Sequence, residues 1–132
     1  RHLAMQAEKD FHFLAATSRQ NDAFVGLIGV AAIPEAIRNS IPTNPGVEIG
    51  WVFNTAFWGK GLAPEGARAC LDQAWTLGLT EVVAFTAVVN RPSQRVMEKI
   101  GMTRDPEADY EHPLVPRNHP IRPHVLYRIN RP

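Results

Sequence analysis

Residues 47–68 pass from a short apolar run, through a turn with two glycines, into a stretch that favours a helix. That succession constrains the backbone more than any other part of the chain. Val47, Ile49, Trp51, Val52 and Phe53, with Glu48 and Gly50 among them, form the mostly apolar kind of run that fills a largely buried strand. Asn54 and Thr55 break it. In Trp58-Gly59-Lys60-Gly61-Leu62-Ala63-Pro64-Glu65 the glycines carry no Cβ, so the main chain can take a positive φ and a ligand can approach its N–H groups. Pro64 suits the first position of a helix, which sets the unpaired amides of the first turn beside the glycines, and such amides favour phosphate. The stretch predicts a strand, an anion-binding turn and a helix. A turn that needs glycine for geometry alone would be spelled the same way. Two nucleotide motifs fail. A P-loop needs Gly-Lys-Ser/Thr, whereas Gly61 follows Lys60; a dinucleotide fingerprint needs a third Gly or Ala where Pro64 stands.

With 132 residues and 45% hydrophobic content the chain suffices for one compact domain, 1–132, that buries roughly two thirds of its unfolded surface. Fourteen basic and thirteen acidic residues leave a net charge of +1 with no Lys/Arg block, which argues against nucleic acid or a membrane surface as partner. Cys70 is the single cysteine, so an intrachain disulfide and a multi-cysteine metal site are excluded and a reducing, cytoplasmic setting is expected. The longest apolar run, 23–33, is too short to span a bilayer. No signal peptide is visible, and the chain starts at Arg1 rather than Met, as a fragment would.

In chain order, residues 1–9 read as the tail of a helix, and Phe11, Phe13 and Ala15 alternate as a strand does. Asn21-Asp22 supplies a turn into a second strand over 23–33, making an antiparallel hairpin; Gly26 and Gly29 within it signal a bulge, a close backbone approach or merely poor packing. Residues 34–46 are a loop. Ala67, Cys70, Leu71, Ala74 and Trp75 recur at helical spacing from Pro64 onward, with Gly78 to close the helix and Cys70 as a packed, inert thiol. Residues 82–89 are a buried strand, so strand, helix and strand imply a right-handed crossover between parallel neighbours. Pro92 starts a short helix that buries Val96, Met97 and Ile100 and ends at Gly101. Residues 103–123 form a long proline-rich loop, and 124–130 the closing strand. His112, His119 and His124 match no metal-ligand spacing, so no metal is expected.

Trp58-Gly59-Lys60-Gly61-Leu62-Ala63 with Glu65 after it, then Asn90-x-x-Ser93-x-x-x-x-Glu98-Lys99-x-Gly101-Met102, resembles the GNAT superfamily of N-acetyltransferases. The chain is most similar to the branch containing the ribosomal-protein N-terminal acetyltransferases. The resemblance implies an α/β fold, a mixed twisted sheet flanked by helices, here N-terminally shortened. It also implies acetyl-CoA bound where two central parallel strands, 47–53 and 82–89, splay apart. It gives the CoA pyrophosphate to the amides of Gly59, Lys60, Gly61, Leu62 and Ala63, with the Lys60 side chain as an optional phosphate contact. Asn90 would bond the pantetheine arm or the active-site backbone, Ser93 would sit near the thiol, and Arg95 could touch the nucleotide. Trp58 stands where the family pattern usually opens with Gln or Arg and is given no polar contact. Relatives normally begin with a strand and helices that wall the acceptor site; either this chain is truncated or another segment supplies that wall. The family often forms dimers, so a second copy is a candidate partner.

An amine attacks a thioester only as the free base, and Glu48 is the carboxylate in reach of that task. Alone in an apolar strand it costs desolvation unless it lines a cavity, and burial would raise its pKa to a useful value. An outward-facing or salt-bridged Glu48 is the plainer alternative. Backbone N–H groups of Trp51, Val52 and Phe53 would stabilise the oxyanion, and Ser93 could protonate the leaving thiolate. The expectation is transfer of acetyl from acetyl-CoA to a protein N-terminus, lysine, polyamine or drug-like amine. The rivals are a non-catalytic acyl-CoA-binding module and a nucleotide-binding α/β domain.

Overall fold

The computed structural model describes residues 3–6, 13–18 and 23–132. In chain order its elements are β1 (Leu3–Gln6), β2 (Phe13–Ser18), β3 (Phe24–Ala32), α1 (Glu35–Arg38), β4 (Val47–Phe53), a 3-10 turn (Thr55–Phe57), α2 (Leu62–Thr76), β5 (Glu81–Ala87), α3 (Arg91–Lys99), β6 (Thr103–Arg104), a second 3-10 turn (Pro106–Ala108), β7 (Tyr110–Glu111) and β8 (Pro123–Asn130). They fall into two compact units, Arg1–Ala31 with Ile49–Leu79, and Ala32–Glu48 with Thr80–Pro132. β3 and β4 contribute residues to both. The sheet is mixed and helices flank it, as expected. Among the described residues no helix is long and apolar enough to cross a membrane.

In the first unit β1, β2 and β3 pair antiparallel in sequence order. Residues 3–6 are a strand and not the expected helical tail. Pairing from Leu3 opposite Ser18 to Gln6 opposite Ala15 overrides the weak helix preference of so short a stretch. The remaining residues of that expected helix, Phe11 and the Asn21-Asp22 turn lie outside the described residues. β2 and β3 form the expected antiparallel pair, with a shift in register that leaves Val25 as an extra residue between the partners of Ala16 and Thr17. Gly26 beside it is required by close approach, since a Cβ there would stand 2.2 Å from the Val52 carbonyl oxygen and 2.8 Å from Phe53 Cα. β4 is less buried than its composition suggests: Ile49 is covered, but Val52 is 74% exposed. Apolar residues remain common on protein surfaces, so an apolar run does not by itself imply burial.

α2 starts at Leu62 and not at Pro64. Pro64 is third in the helix, still within the first turn where its missing N–H costs no bond. The helix lies against β1 and buries Leu62, Ala67, Cys70, Leu71 and Ala74 on one side. It closes at Gly78, φ 92°, with the Leu79 amide bonded back to Ala74.

In the second unit β4 pairs parallel with β5 at Glu48 opposite Val83, and β5 pairs antiparallel with β8 from Glu81–Asn130 to Ala87–His124. β6 and β7 also pair with β8. The expected loops at 34–46 and 103–123 are thus only partly loops. α1 interrupts the first, with Glu35 at its start and Arg38 at its end as the helix dipole favours. Two short strands and a 3-10 turn interrupt the second; elements of two or three residues are too short for any hydrophobic period to show. The core joins Ile33, Ile41, Val83, Ala108, Tyr110 and Leu126, with Ile37 and Phe85 packed on it. Arg128 ties the unit together through Glu81, Asp105 at 2.9 Å and the Thr43 hydroxyl at 3.2 Å.

Candidate functional site

The glycine turn is built on the end of β4. Asn54 stops the strand and caps the 3-10 turn, its side chain accepting from the Ala56 amide at 3.1 Å. The Trp58 indole N–H then donates to the Phe53 carbonyl at 3.0 Å, clipping the turn to the strand it leaves. Gly59 and Gly61 follow with φ of 75° and 74°, and Gly61 is the N-cap of α2 without a side-chain cap. The first helical bond runs from the Glu65 amide to the Gly61 carbonyl at 3.2 Å. Among the described residues the amides of Gly59, Lys60, Gly61, Leu62 and Ala63 have no acceptor. A Cβ at either glycine would meet nothing within 4 Å, so the space over the turn is open and only backbone conformation demands glycine. The Lys60 ammonium sits 5.7 Å from the Phe57 ring centroid, a cation–π contact that directs it over its own turn. The arrangement can hold a multiply charged anion through the main chain. Trp51, Val52 and Phe53 end the strand that supports it.

In the second unit Glu48 is half-buried, and burial alone pushes its carboxyl up to about 7. At neutral pH such a group is close to half ionised and can take or give a proton. Its charge acts on Tyr110, which belongs to a cluster that no local sequence motif marks. Tyr110, 7% exposed, meets Phe85 edge-on at 5.9 Å and His124 at 5.4 Å, and His112 lies 5.0 Å from His124. The Tyr110 hydroxyl is buried without a hydrogen-bond partner among the described residues. Burial and the Glu48 charge both hold its proton on, well above the ordinary phenol range. Burial holds both imidazoles below the usual histidine range, helped at His112 by the Arg122 charge; at His124, His112 adds to the effect while backbone bonds oppose it. Their close approach was invisible in a proline-rich run; the one hint was Tyr110, an isolated aromatic beside His112.

Asn90 is the N-cap of α3, its side-chain oxygen accepting from the Ser93 amide at 3.3 Å while its amide nitrogen donates to the Thr86 hydroxyl at 3.0 Å. Both ends of the Asn90 side chain are therefore engaged locally. Ser93 sits in the first turn of α3 beside it, and Arg95 is exposed on the same helix. Val96 is half-buried and Met97 and Ile100 are buried, as their spacing predicts. Gln94 was not anticipated: it is buried, donates to the Val88 carbonyl at 2.9 Å at the end of β5, and accepts from the Tyr127 hydroxyl at 3.4 Å. Among the described residues no three His, Cys, Asp or Glu side chains converge as a metal site would need.

Residues 1–103 match the model of the acetyltransferase (GNAT) domain. The chain is 46% identical to the N-acetyltransferase YnaD of Bacillus subtilis over 59 residues, 44% of this chain and 35% of that protein. It is 36% identical over 81 residues to the FsC-acetyl coenzyme A-N(2)-transacetylase of Aspergillus fumigatus, 61% of this chain and 34% of that one. Its fold is similar to the acetyltransferase of Agrobacterium tumefaciens, with a TM-score of 0.66 and 31% identity over 90% of this chain and 60% of that structure. The chain thus spans about a third of the length of these two sequence relatives. A family match over most of its length, with the glycine turn opening α2 and a parallel β4–β5 pair in the structure, leads to one conclusion: the chain belongs to the GNAT acetyltransferase family.

Proposed function

We propose that the chain moves an acetyl group from acetyl-CoA to a primary amine by direct attack in a ternary complex. The observation that carries this reading is Glu48, a carboxyl whose burial raises it to about 7 in a chain of this family. The turn fits the donor: five successive residues with uncommitted amides under open space suit a pyrophosphate and would not suit an apolar group.

When bound, acetyl-CoA supplies a thioester carbonyl open to attack. The amides of Gly59, Lys60, Gly61, Leu62 and Ala63 hold the pyrophosphate. Lys60, drawn over Phe57, leaves that task to the main chain. Main-chain N–H groups of Trp51, Val52 and Phe53 stabilise the charge that develops on the carbonyl oxygen. Glu48 takes the proton from the ammonium, leaving the free amine that attacks. Ser93 serves the thiolate, although a thiol with a pKa near ~8.5 leaves almost unaided. Asn90, committed to capping α3, acts on the backbone there rather than on the pantetheine arm. Arg95 serves the nucleotide from the surface of α3. The acceptor is a protein N-terminus or a small-molecule amine.

Calorimetric titration with acetyl-CoA, then turnover with a panel of amines, tests the reading. Binding with turnover supports transfer. Binding without consumption for any amine would leave a binding module, and no binding would remove acetyl-CoA from the account.

A further inference from the structure

The Tyr110 hydroxyl is buried, finds no hydrogen-bond partner among the described residues and feels the Glu48 charge. Buried hydroxyls are rarely left unpaired, so one that is calls for a role. The ring is fixed. Tyr110 pairs with His124 across β7 and β8, Phe85 meets it edge-on, and the imidazoles of His112 and His124 lie on it at 6.3 and 5.4 Å. Its hydroxyl therefore cannot swing away to find another acceptor.

Strand pairing sets Glu48 opposite Val83, which shares a core cluster with Tyr110. We infer that Tyr110 is a positioning residue for Glu48: its unpartnered hydroxyl donates through one internal water to the Glu48 carboxylate and favours the charged form that accepts the amine proton. The inference rests on the transfer reading above. Tyr110 keeps its own proton throughout; the proton lost by the ammonium goes to Glu48.

Most other charged and titratable groups on the elements packed about this core are engaged, but Arg38 Nε on α1 finds no partner among the described residues. His112 Nδ1 accepts from the Leu114 amide, and His124 Nδ1 is bonded at the Arg122 carbonyl. Both imidazoles are held toward the neutral form. The Arg122 guanidinium is directed to Glu111 at 3.5 Å and to the Val115 carbonyl. Asp105 and Glu81 are on Arg128, and Asp109 is on Arg104. That leaves Glu48 as the charge the phenol feels, and burial keeps the phenol a neutral donor across the working pH range.

The test is a titration of the whole chain with 13C-labelled glutamate carboxyl groups, followed by NMR, with Glu48→Gln identifying the signal. Tyr110→Phe keeps the ring and removes only the hydroxyl. It is expected to raise the Glu48 midpoint by about half to one pH unit, roughly a three- to tenfold change in its ionisation. Thermal stability should fall modestly, because the hydroxyl's one hydrogen bond is lost, so the midpoint and not Tm is the readout. The acetyl-transfer rate should drop by the same factor near pH 6.5 and recover at high pH. His124→Phe, which disturbs the same ring contacts but keeps the hydroxyl, should leave the midpoint in place. An unmoved midpoint in Tyr110→Phe, or an equal shift in His124→Phe, would overturn the inference. The titration needs no turnover, so a shifted midpoint in a chain that consumes no acetyl-CoA would retain the Tyr110–Glu48 coupling and sink only the transfer reading.

Discussion

The glycine turn and the Glu48–Tyr110 cluster are made in opposite ways. The turn is eight consecutive residues, and what it offers a ligand is main chain: positive φ at Gly59 and Gly61 and a row of amides without acceptors. The cluster is side chains drawn from positions 48, 85, 110, 112 and 124, and its chemistry depends on single atoms in a partly desolvated place. The difference teaches where each kind of site is vulnerable. A backbone site tolerates loss of side chains and fails when its path is blocked or its charge reversed; a side-chain site fails when one functional atom is removed.

The sharpest test of that contrast is Glu48→Gln. Removing a general base typically costs ~10² to 10⁴ in rate. The substitution should reduce kcat by that order, flatten the limb of the pH profile near 7, and leave the acetyl-CoA Kd alone; an undiminished rate removes Glu48 from the reaction. The same change has a stability signature. Because the folded carboxyl titrates at about 7 and the unfolded one at 4.5, the fold holds the extra proton in that window, so Glu48 destabilises progressively as pH rises through it. Glu48→Gln should therefore raise Tm at pH 8 relative to pH 5. The gain should be of order 1 kcal/mol, after discounting for partial exposure.

Next comes Gly61→Asp in the turn. Aspartate is among the residues that tolerate a left-handed φ, yet it lacks glycine's freedom at φ 74°, so stability should fall by about 1 kcal/mol and affinity is read well below the transition. Its charge opposes a phosphate, and acetyl-CoA affinity should fall by about 10²-fold in calorimetry. Binding that survives would mean the amides are not the anion site. Trp58→Phe removes only the indole bond to the Phe53 carbonyl, and with about 1 kcal/mol for such a bond the Kd should weaken roughly fivefold. Lys60→Ala should do least, within about twofold in Kd, since the side chain lies over Phe57. A tenfold loss there would break the comparison, because the turn would then depend on a side chain after all.

The same contrast explains what was legible in the sequence. The strand, glycine turn and α2 could be read because Gly59, Gly61 and the spacing of Ala67, Cys70, Leu71 and Ala74 are local signals. The Asn90 cap of α3 and the closures at Gly78 and Gly101 were equally local. Glu48 stood out as one acid in an apolar strand. Tyr110 did not, because a two-residue strand carries no period and its neighbours come from 33–41, 83–85 and 124–126. β1 failed for a related reason: Leu3, Ala4, Met5 and Gln6 have no strong preference of their own, and it is pairing with β2 that makes them a strand. Gln94 looked like a surface residue on a charged helix; only the fold shows that the end of β5 needs its amide.

β8 has a consequence for the order in which the molecule can be made. It follows β5, β6 and β7 in sequence, yet all three find their antiparallel partner in it. A ribosome releases residues 81–111 well before 123–130, so those three strands must wait, unpaired with β8, until synthesis has passed Asn130. Contacts of such wide sequence separation form late and slowly. The nascent chain can nucleate α2 as soon as residues 62–79 emerge, whereas the surroundings of Glu48 are completed only once residues 123–130 have followed.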